Sequence, residues 1–208
     1  FPLGKSRFYV HTFEEEIELV QGLNKSTGKD VGIYPEIKSP QFHLDEGKDI
    51  SKKVIQILLH YGYQQKSDKV FLQTFDYKDL KRIKTTLFPE LGVDVNLVQL
   101  MGNSEEYQWM TSADGMATVA QFADGIGPDM SMIVGSKSKL GAPQITELVT
   151  HAHHNKLAVH PYTFRADAIA LPSYVEDFDQ LLDLFFNTVG IDGVFTDFTD
   201  KAVNFLNQ

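Results

Sequence analysis

Apolar residues recur along this chain in two alternating rhythms. One repeats every three to four residues, as at Phe13, Ile17 and Val20 or at Ile50, Val54, Ile57, Leu58 and Tyr61. It predicts helices with a single buried stripe. The other consists of short apolar runs, such as Val70-Phe71-Leu72 and Val95-Asn96-Leu97-Val98. Their length and β-branched content predict short buried strands. In order, the pattern gives a helix opened by the capping box Thr12-x-x-Glu15, a strand near 31–37 and a helix near 50–61. A strand near 69–75, a helix near 77–87 and a strand at 95–100 follow. After them come an insertion with a short helix near 116–123 and a strand at Met130-Ser131-Met132-Ile133-Val134. The next helix starts at Pro143, a favoured first helical position, and runs to about His154. The chain closes with a strand at 157–162, a helix opened by a second capping box at Ser173-x-x-Glu176, a strand at 193–196 and a helix over 199–207.

Alternation of strands and helices with short connections predicts an α/β fold on a parallel sheet. Six such units are legible, plus one helix at the front. A closed (β/α)8 TIM barrel needs eight strands and typically ~250 residues. The expectation is therefore that residues 1–208 form the last six units of one barrel domain, with the first two upstream of Phe1. The start at Phe1-Pro2-Leu3-Gly4, without an initiator methionine or an apolar leader, agrees with a piece of a longer protein. An open doubly wound sheet is the rival, but no glycine-rich phosphate loop follows any strand.

Composition narrows the chemistry. The 208 residues are 42% hydrophobic and 23% charged, enough for one sizeable core. The net charge of -9 disfavours broad attraction to nucleic acid or an anionic membrane. No apolar run approaches the ~18 residues of a membrane span. There is no cysteine, which excludes disulfides, thiolate ligands and a cysteine nucleophile, and fits an oxidising compartment.

In a barrel the active site lies at the carboxyl ends of the strands. Those ends carry Glu36 and Lys38, then Gln73, Phe75 and Asp76, then Gln99, then His160, Tyr162 and Arg165, and last Thr196 and Asp197. The loops beyond place Phe42, His43 and Trp109 at the same face. In a strand, Tyr34, Glu36 and Lys38 share one side, and Ile33 and Ile37 share the other. A carboxylate and an ammonium two residues apart suit a metal site that also holds an anion; equally, they suit an inward salt bridge. Asp76 precedes a helix and reads as an N-cap, and Asp197 reads as a brace for the last helix. His160 is either a ligand or a hydrogen-bonded interior histidine. Phe75 and Tyr162 are either lining or core, and Gln99 alone says little. His151-Ala152-His153-His154 ends a helix at the opposite face, where imidazoles complement the helix dipole rather than a site. No G-x-S-x-G elbow is present, so acyl transfer has no support.

Pro35-Glu36-Ile37-Lys38, Leu72-Gln73-Thr74-Phe75-Asp76, His160-Pro161-Tyr162-Thr163-Phe164-Arg165 and Gly193-Val194-Phe195-Thr196-Asp197-Phe198 resemble, in that order, later strands of the glycerophosphodiester phosphodiesterases, above all the bacterial periplasmic ones. The resemblance implies a TIM barrel and metal-dependent hydrolysis of glycerophosphodiesters to sn-glycerol 3-phosphate and an alcohol. It implies that Glu36 ligates a divalent cation and that Lys38 meets the phosphate. It also implies that Gln73, Phe75, Tyr162 and Arg165 line the substrate site. Tyr162 stands where many members have tryptophan, and Arg165 where many have asparagine. Carboxylate ligands favour a hard cation, calcium or magnesium rather than zinc, and within the resemblance calcium is expected before magnesium. The family's catalytic histidines and its His-Arg-Gly opening are not in these residues, so they are expected in a missing N-terminal segment of the same protein. The resemblance further implies a periplasmic location. The alternatives are an inactive fragment or ligand-binding scaffold, or another phospholipase C-like phosphodiesterase.

Overall fold

The computed structural model describes residues 9–207, so the opening Phe1–Gly4 lies outside the described residues. Five parallel strands hydrogen-bond in sequence order: β1 (Glu36–Ile37), β2 (Phe71–Thr74), β3 (Asn96–Met101), β4 (Gly125–Pro128) and β5 (Ala158–Val159). A sixth extended segment adjoins β5. Phe164 pairs with Thr196, and the Phe195 amide donates to the Pro161 carbonyl at 3.0 Å. The α/β class, the parallel pairing and the strand order follow the sequence expectation.

The sheet is rolled rather than flat. Strands in a sheet lie ~4.8 Å apart, so five steps would put the first and sixth segments ~24 Å apart in a plane. Instead the rings of Tyr34 and Phe195 meet at 4.7 Å between centroids, across the concave face. An open layer is incompatible with that contact.

Helices cover the convex face. They are α1 (Phe13–Thr27), α2 (Pro40–Asp45), α3 (Ile50–His60), α4 (Tyr77–Arg82), α5 (Phe88–Leu91), α6 (Ala113–Val119), α7 (Leu148–His154), α8 (Phe178–Asp183) and α9 (Thr199–Leu206). Thr12 and Glu15 form the expected capping box of α1. Ile17, Ile37, Ile55, Leu58, Leu72, Ile83 and Leu97 bury one half of the helix–sheet interface. Ile126, Val159, Phe164, Leu181 and Phe185 anchor the other. Among the described residues, no helix is long and apolar enough to cross a membrane.

Five expectations are corrected. The fourth strand is Gly125–Pro128, and Met130–Met132 is a short 3-10 turn beyond it. The true strand is hidden by its composition, since glycine and proline are poor strand formers. Here the glycines answer to crowding. A Cβ at Gly127 would sit 2.6 Å from Leu100 Cδ2, and one at Gly125 would sit 2.9 Å from the Ala158 carbonyl oxygen.

Helix α7 begins at Leu148, not at Pro143. Pro143 sits in the returning arm of an irregular hairpin, in which Val134 pairs with Ile145 and Lys139 with Ala142 around the left-handed Gly141. The fixed φ of proline suits an extended arm as well as a helix start.

Helix α8 is capped by Asp177, whose side chain accepts from the Gln180 amide at 2.8 Å, so Ser173 and Glu176 lie in the loop before it. Finally, the helix ascribed to 77–87 continues to Leu91 through a π-type turn at Ile83–Leu87. Pro89 has no N–H to give and its ring crowds the carbonyl four residues back, so the preceding turn widens. The helix near 116–123 lies slightly earlier, at Ala113–Val119, and α2 was not anticipated.

Candidate functional site

Register and pleat decide which side chains enter the concave face. Glu36 is the Cα partner of Gln73, and Gln73 of Val98. Residues in register share a face, so Glu36 and Gln73 point inward together. Ile37, one residue on, is buried among the helices, as the alternation predicts.

The lower part of the concave face is an aromatic plug. Tyr34 stacks on Phe71 at 5.0 Å, and its hydroxyl is 2.9 Å from His160 Nδ1. His160 also lies edge-on to Phe71 at 5.2 Å and against Gly193, where a Cβ would come within 3.0 Å of its Cδ2. The interior reading of His160 is therefore the one the structure favours. Burial pushes its imidazole below the ordinary value, with Asp192 acting weakly the other way. The same burial holds the Tyr34 phenol well above its ordinary range.

A depressed imidazole means the unfolded chain binds more protons than the folded one as pH falls below about 6.5. His160 thus supports stability above that pH, and its contribution declines progressively below it. Urea midpoints measured at pH 7 and pH 5 should show a drop for the natural protein. That drop should be smaller for His160→Phe. Equal drops in both proteins would remove His160 from the pH dependence.

Above the plug the face opens into two adjoining cavities. The smaller, of about 270 Å³, is lined by Glu36, Lys38, Gln73, Phe75, Tyr162 and their neighbours Leu100, Thr163 and Phe195. Five of the six residues to which the resemblance gives a role meet there, all but Arg165. Lys38 Nζ is 3.6 Å from Glu36 Oε2, with the lysine side chain 77% exposed and the glutamate 23% exposed. The pair is therefore a loose contact at the cavity mouth and not a filled interior salt bridge.

Gln73 is 6% exposed. Its Nε2 reaches the Tyr34 carbonyl at a long 3.4 Å, and its Oε1 has no hydrogen-bond partner among the described residues. The Tyr162 hydroxyl donates to the Met101 carbonyl at 3.0 Å. Burial first, then the charges of Asp129 and Glu36, push that phenol up to about 12.

Arg165 is not part of the cluster. Its Nε and Nη2 are held by Asp167 Oδ2 at 2.8 and 2.7 Å on the exposed side of the loop. Asp76 is the N-cap of α4 and accepts from the Asp79 amide at 2.9 Å. Gln99 faces the helices and donates to the Phe75 carbonyl at 2.9 Å. The last helix is braced by Thr196, whose Oγ1 accepts from the Phe198 amide at 2.9 Å, while Asp197 is exposed. His151 and His153 are already engaged, by the Thr111 carbonyl and by Asp192, and neither lines the two cavities.

The larger cavity, of about 660 Å³, shares Glu36, Lys38 and Phe75 with the smaller one. Phe42 and Trp109 line it, as the loop positions suggested, but His43 does not. Tyr77, Glu106 and Tyr107 were missed. Tyr107 and Glu106 lie in the insertion after β3, where no periodicity reveals which side chains turn inward.

The divalent cation implied by the resemblance can be tested against the donor set. Calcium takes six to eight oxygen ligands, and magnesium about six. Glu36 is the one carboxylate lining the smaller cavity, and no group of three or more His, Asp or Glu residues among the described residues is arranged around a common point. These residues do not by themselves fit the cation.

Comparison with known proteins places this geometry. The chain is 47% identical over 223 residues to a glycerophosphodiester phosphodiesterase of Haemophilus influenzae, covering 99% of this chain and 61% of that protein. It is 40% identical over 225 residues to a glycerophosphodiester phosphodiesterase of Treponema pallidum, covering 100% of this chain and 63% of that one. It thus spans less than two thirds of the length of these relatives. A family description, "Glycerophosphoryl diester phosphodiesterase family", matches residues 1–201. With the match running nearly end to end, across both cavities and the strand ends that line them, the chain belongs to the glycerophosphoryl diester phosphodiesterase family.

Proposed function

We propose that this chain carries the phosphate-gripping part of an enzyme that hydrolyses glycerophosphodiesters to sn-glycerol 3-phosphate and a free alcohol. The observation that supports it most is the meeting of Glu36, Lys38, Gln73, Phe75 and Tyr162 in one cavity at the carboxyl ends of consecutive parallel strands. In the reaction, water adds to phosphorus, the P–O bond to the head-group alcohol breaks, and the alcohol departs with a proton. Lys38 would face a non-bridging phosphoryl oxygen, where negative charge builds up as water adds. An ammonium at that position stabilises the transition state more than the ground state. Gln73 would offer its unshared Oε1 to a glycerol hydroxyl, and Phe75 and Tyr162 would wall the glycerol moiety. Arg165, tied to Asp167, has no part in this reading.

The remainder of the reading concerns the rest of the protein. A closed eight-stranded barrel would take its two further strands from a segment outside these 208 residues. The same segment would supply the acid and base for proton transfer, because no histidine lines either cavity among the described residues. Glu36 would be one of several ligands to a divalent cation, calcium before magnesium, with the others also from that segment. A periplasmic location belongs to the same reading and rests on the resemblance alone.

The test is to incubate the full-length protein with glycerophosphocholine and glycerophosphoglycerol, and separately with a phosphoinositide. Release of sn-glycerol 3-phosphate from the first two is the expected result. Cleavage confined to the phosphoinositide would replace this reading with a phospholipase C-like one. No release from any of them would favour the scaffold.

A further inference from the structure

We propose that Gln99 is a positioning residue for the phosphodiester site: its buried amide clamps, from behind, the two strand ends that wall the smaller cavity. The inference rests on reading that cavity as the place where the diester binds.

Gln99 breaks the ordinary rule for its position. It shares the helix-facing side of β3 with Leu97 and Met101, both buried and apolar. Gln99 is fully buried too, and its Oε1 has no hydrogen-bond partner among the described residues. A buried acceptor left unpaired is costly, and an apolar side chain of the same length would fill the space without that cost. What the amide gives in return is its pair of N–H donors. Nε2 donates to the Leu100 carbonyl at 2.8 Å and to the Phe75 carbonyl at 2.9 Å, with the Thr74 carbonyl further off at 3.4 Å. Three carbonyls around one atom also fix which end of the amide points there, since an oxygen in its place would be repelled.

The Phe75 and Leu100 carbonyls lie just past the last rung of the ladder. The register of β2 with β3 ends at the pair Thr74 and Gln99. Phe75 and Leu100 each follow directly, and Phe75 is the single residue between the end of β2 and the Asp76 cap of α4. Gln99 thus supplies a side-chain rung one residue beyond the last backbone one. Both residues line the smaller cavity, and Phe75 lines the larger one as well. The Phe75 ring meets Tyr162 and Tyr107 edge-on, at 5.9 and 6.1 Å, so a shift of its backbone would carry over to the rest of the wall. Gln99 itself lines neither cavity and acts through the residues it holds.

The experiment uses the full-length protein, natural and with Gln99→Met or Gln99→Glu. Methionine matches glutamine in length and has no donor. Glutamate, kept protonated by burial, retains one donor of the two. KM for glycerophosphocholine and for glycerophosphoglycerol should rise about tenfold in Gln99→Met and about threefold in Gln99→Glu, with kcat within about threefold, because a displaced wall weakens ground-state and transition-state binding alike. Ile17→Val, a core change in α1 that lines neither cavity, controls for lost stability and should leave KM within about twofold. Crystal structures of the variants give a second readout that needs no turnover. In them the Phe75 ring should move by about 1 Å relative to Gln73, enough to disturb a preorganised site. If Gln99→Met does not fold, Gln99→Glu carries both measurements.

A Phe75 ring left in place, or a KM that changes no more in the Gln99 variants than in Ile17→Val, overturns the proposal while the phosphodiesterase reading stands. A natural protein that cleaves neither diester sinks that reading, and the ring position alone then decides whether Gln99 holds the wall.

Discussion

Lys38→Ala in the full-length protein should lower kcat by about 10²- to 10³-fold, the cost of removing one preorganised charge from a developing oxyanion. Its stability should change by less than about 0.5 kcal/mol, because the side chain is mostly solvent-exposed. The two numbers together separate the readings of the Glu36–Lys38 pair. If it were an exposed salt bridge and nothing more, it would contribute about 0–1 kcal/mol to stability and nothing to turnover. A 3.6 Å separation with the lysine three-quarters exposed already argues for the weak end of that range. Lys38→Arg should recover part of the lost rate, since the charge returns with a different shape. Steady-state rates and a urea midpoint on the same preparations decide the matter. Turnover within twofold of the natural protein would take Lys38 out of the chemistry.

Much of the fold was legible because most elements obey local rules. The capping box at Thr12 and Glu15, the helical stripe at Ile50 to Tyr61 and the apolar runs at Val70 and Val95 carry their own signals, and each appears where expected. The strand at Gly125–Pro128 did not, because its residues were set by neighbours distant in sequence. Leu100 and Ala158 crowd its glycines, and a single-sequence reading has no access to that. Met130 to Val134 offered a stronger local strand pattern and drew the assignment away. The helix starts at Pro143 and Ser173 failed differently: Pro143 fits a first helical position and Ser173 a cap, and tertiary pairing of the hairpin and the better-placed Asp177 decided against them.

The candidate site was legible where strand parity applies and obscure where it does not. Glu36 and Gln73 sit in regular strands, so alternation fixes their direction, whereas Tyr162 lies beyond β5 and is placed by its bridge to Asp129. Arg165 lies beyond the last pairing of its segment, in a loop where Asp167, two residues away, captures it. Tyr107 and Glu106 belong to a 3-10 turn that no hydrophobic period announces. Loop residues can be placed near a site from the sequence, but which of them turn toward it depends on packing that only coordinates supply.

Gly115→Ala should destabilise the protein by about 3 kcal/mol, at the upper end of the cost of overpacking. Ordinarily the sign would be opposite: alanine in a helix gains about 0.5–1 kcal/mol over glycine. Space decides here. A Cβ on Gly115 would fall 1.8 Å from the Trp109 carbonyl oxygen and 2.8 Å from its carbon. Those are backbone atoms of the 3-10 turn Glu105–Thr111, so the turn itself would have to move. Ser112, which caps α6 through the Gly115 amide at 3.1 Å, would be displaced with it. Gly22 in α1 is the matched control: a Cβ there meets nothing within 4 Å, and Gly22→Ala should stabilise by the ordinary helical amount. Because the displaced turn carries Trp109, Gly115→Ala should also shift the emission of that tryptophan, whereas Gly22→Ala should not. Urea midpoints that move in the same direction for both variants would show that the contact between α6 and the turn is looser than its geometry requires.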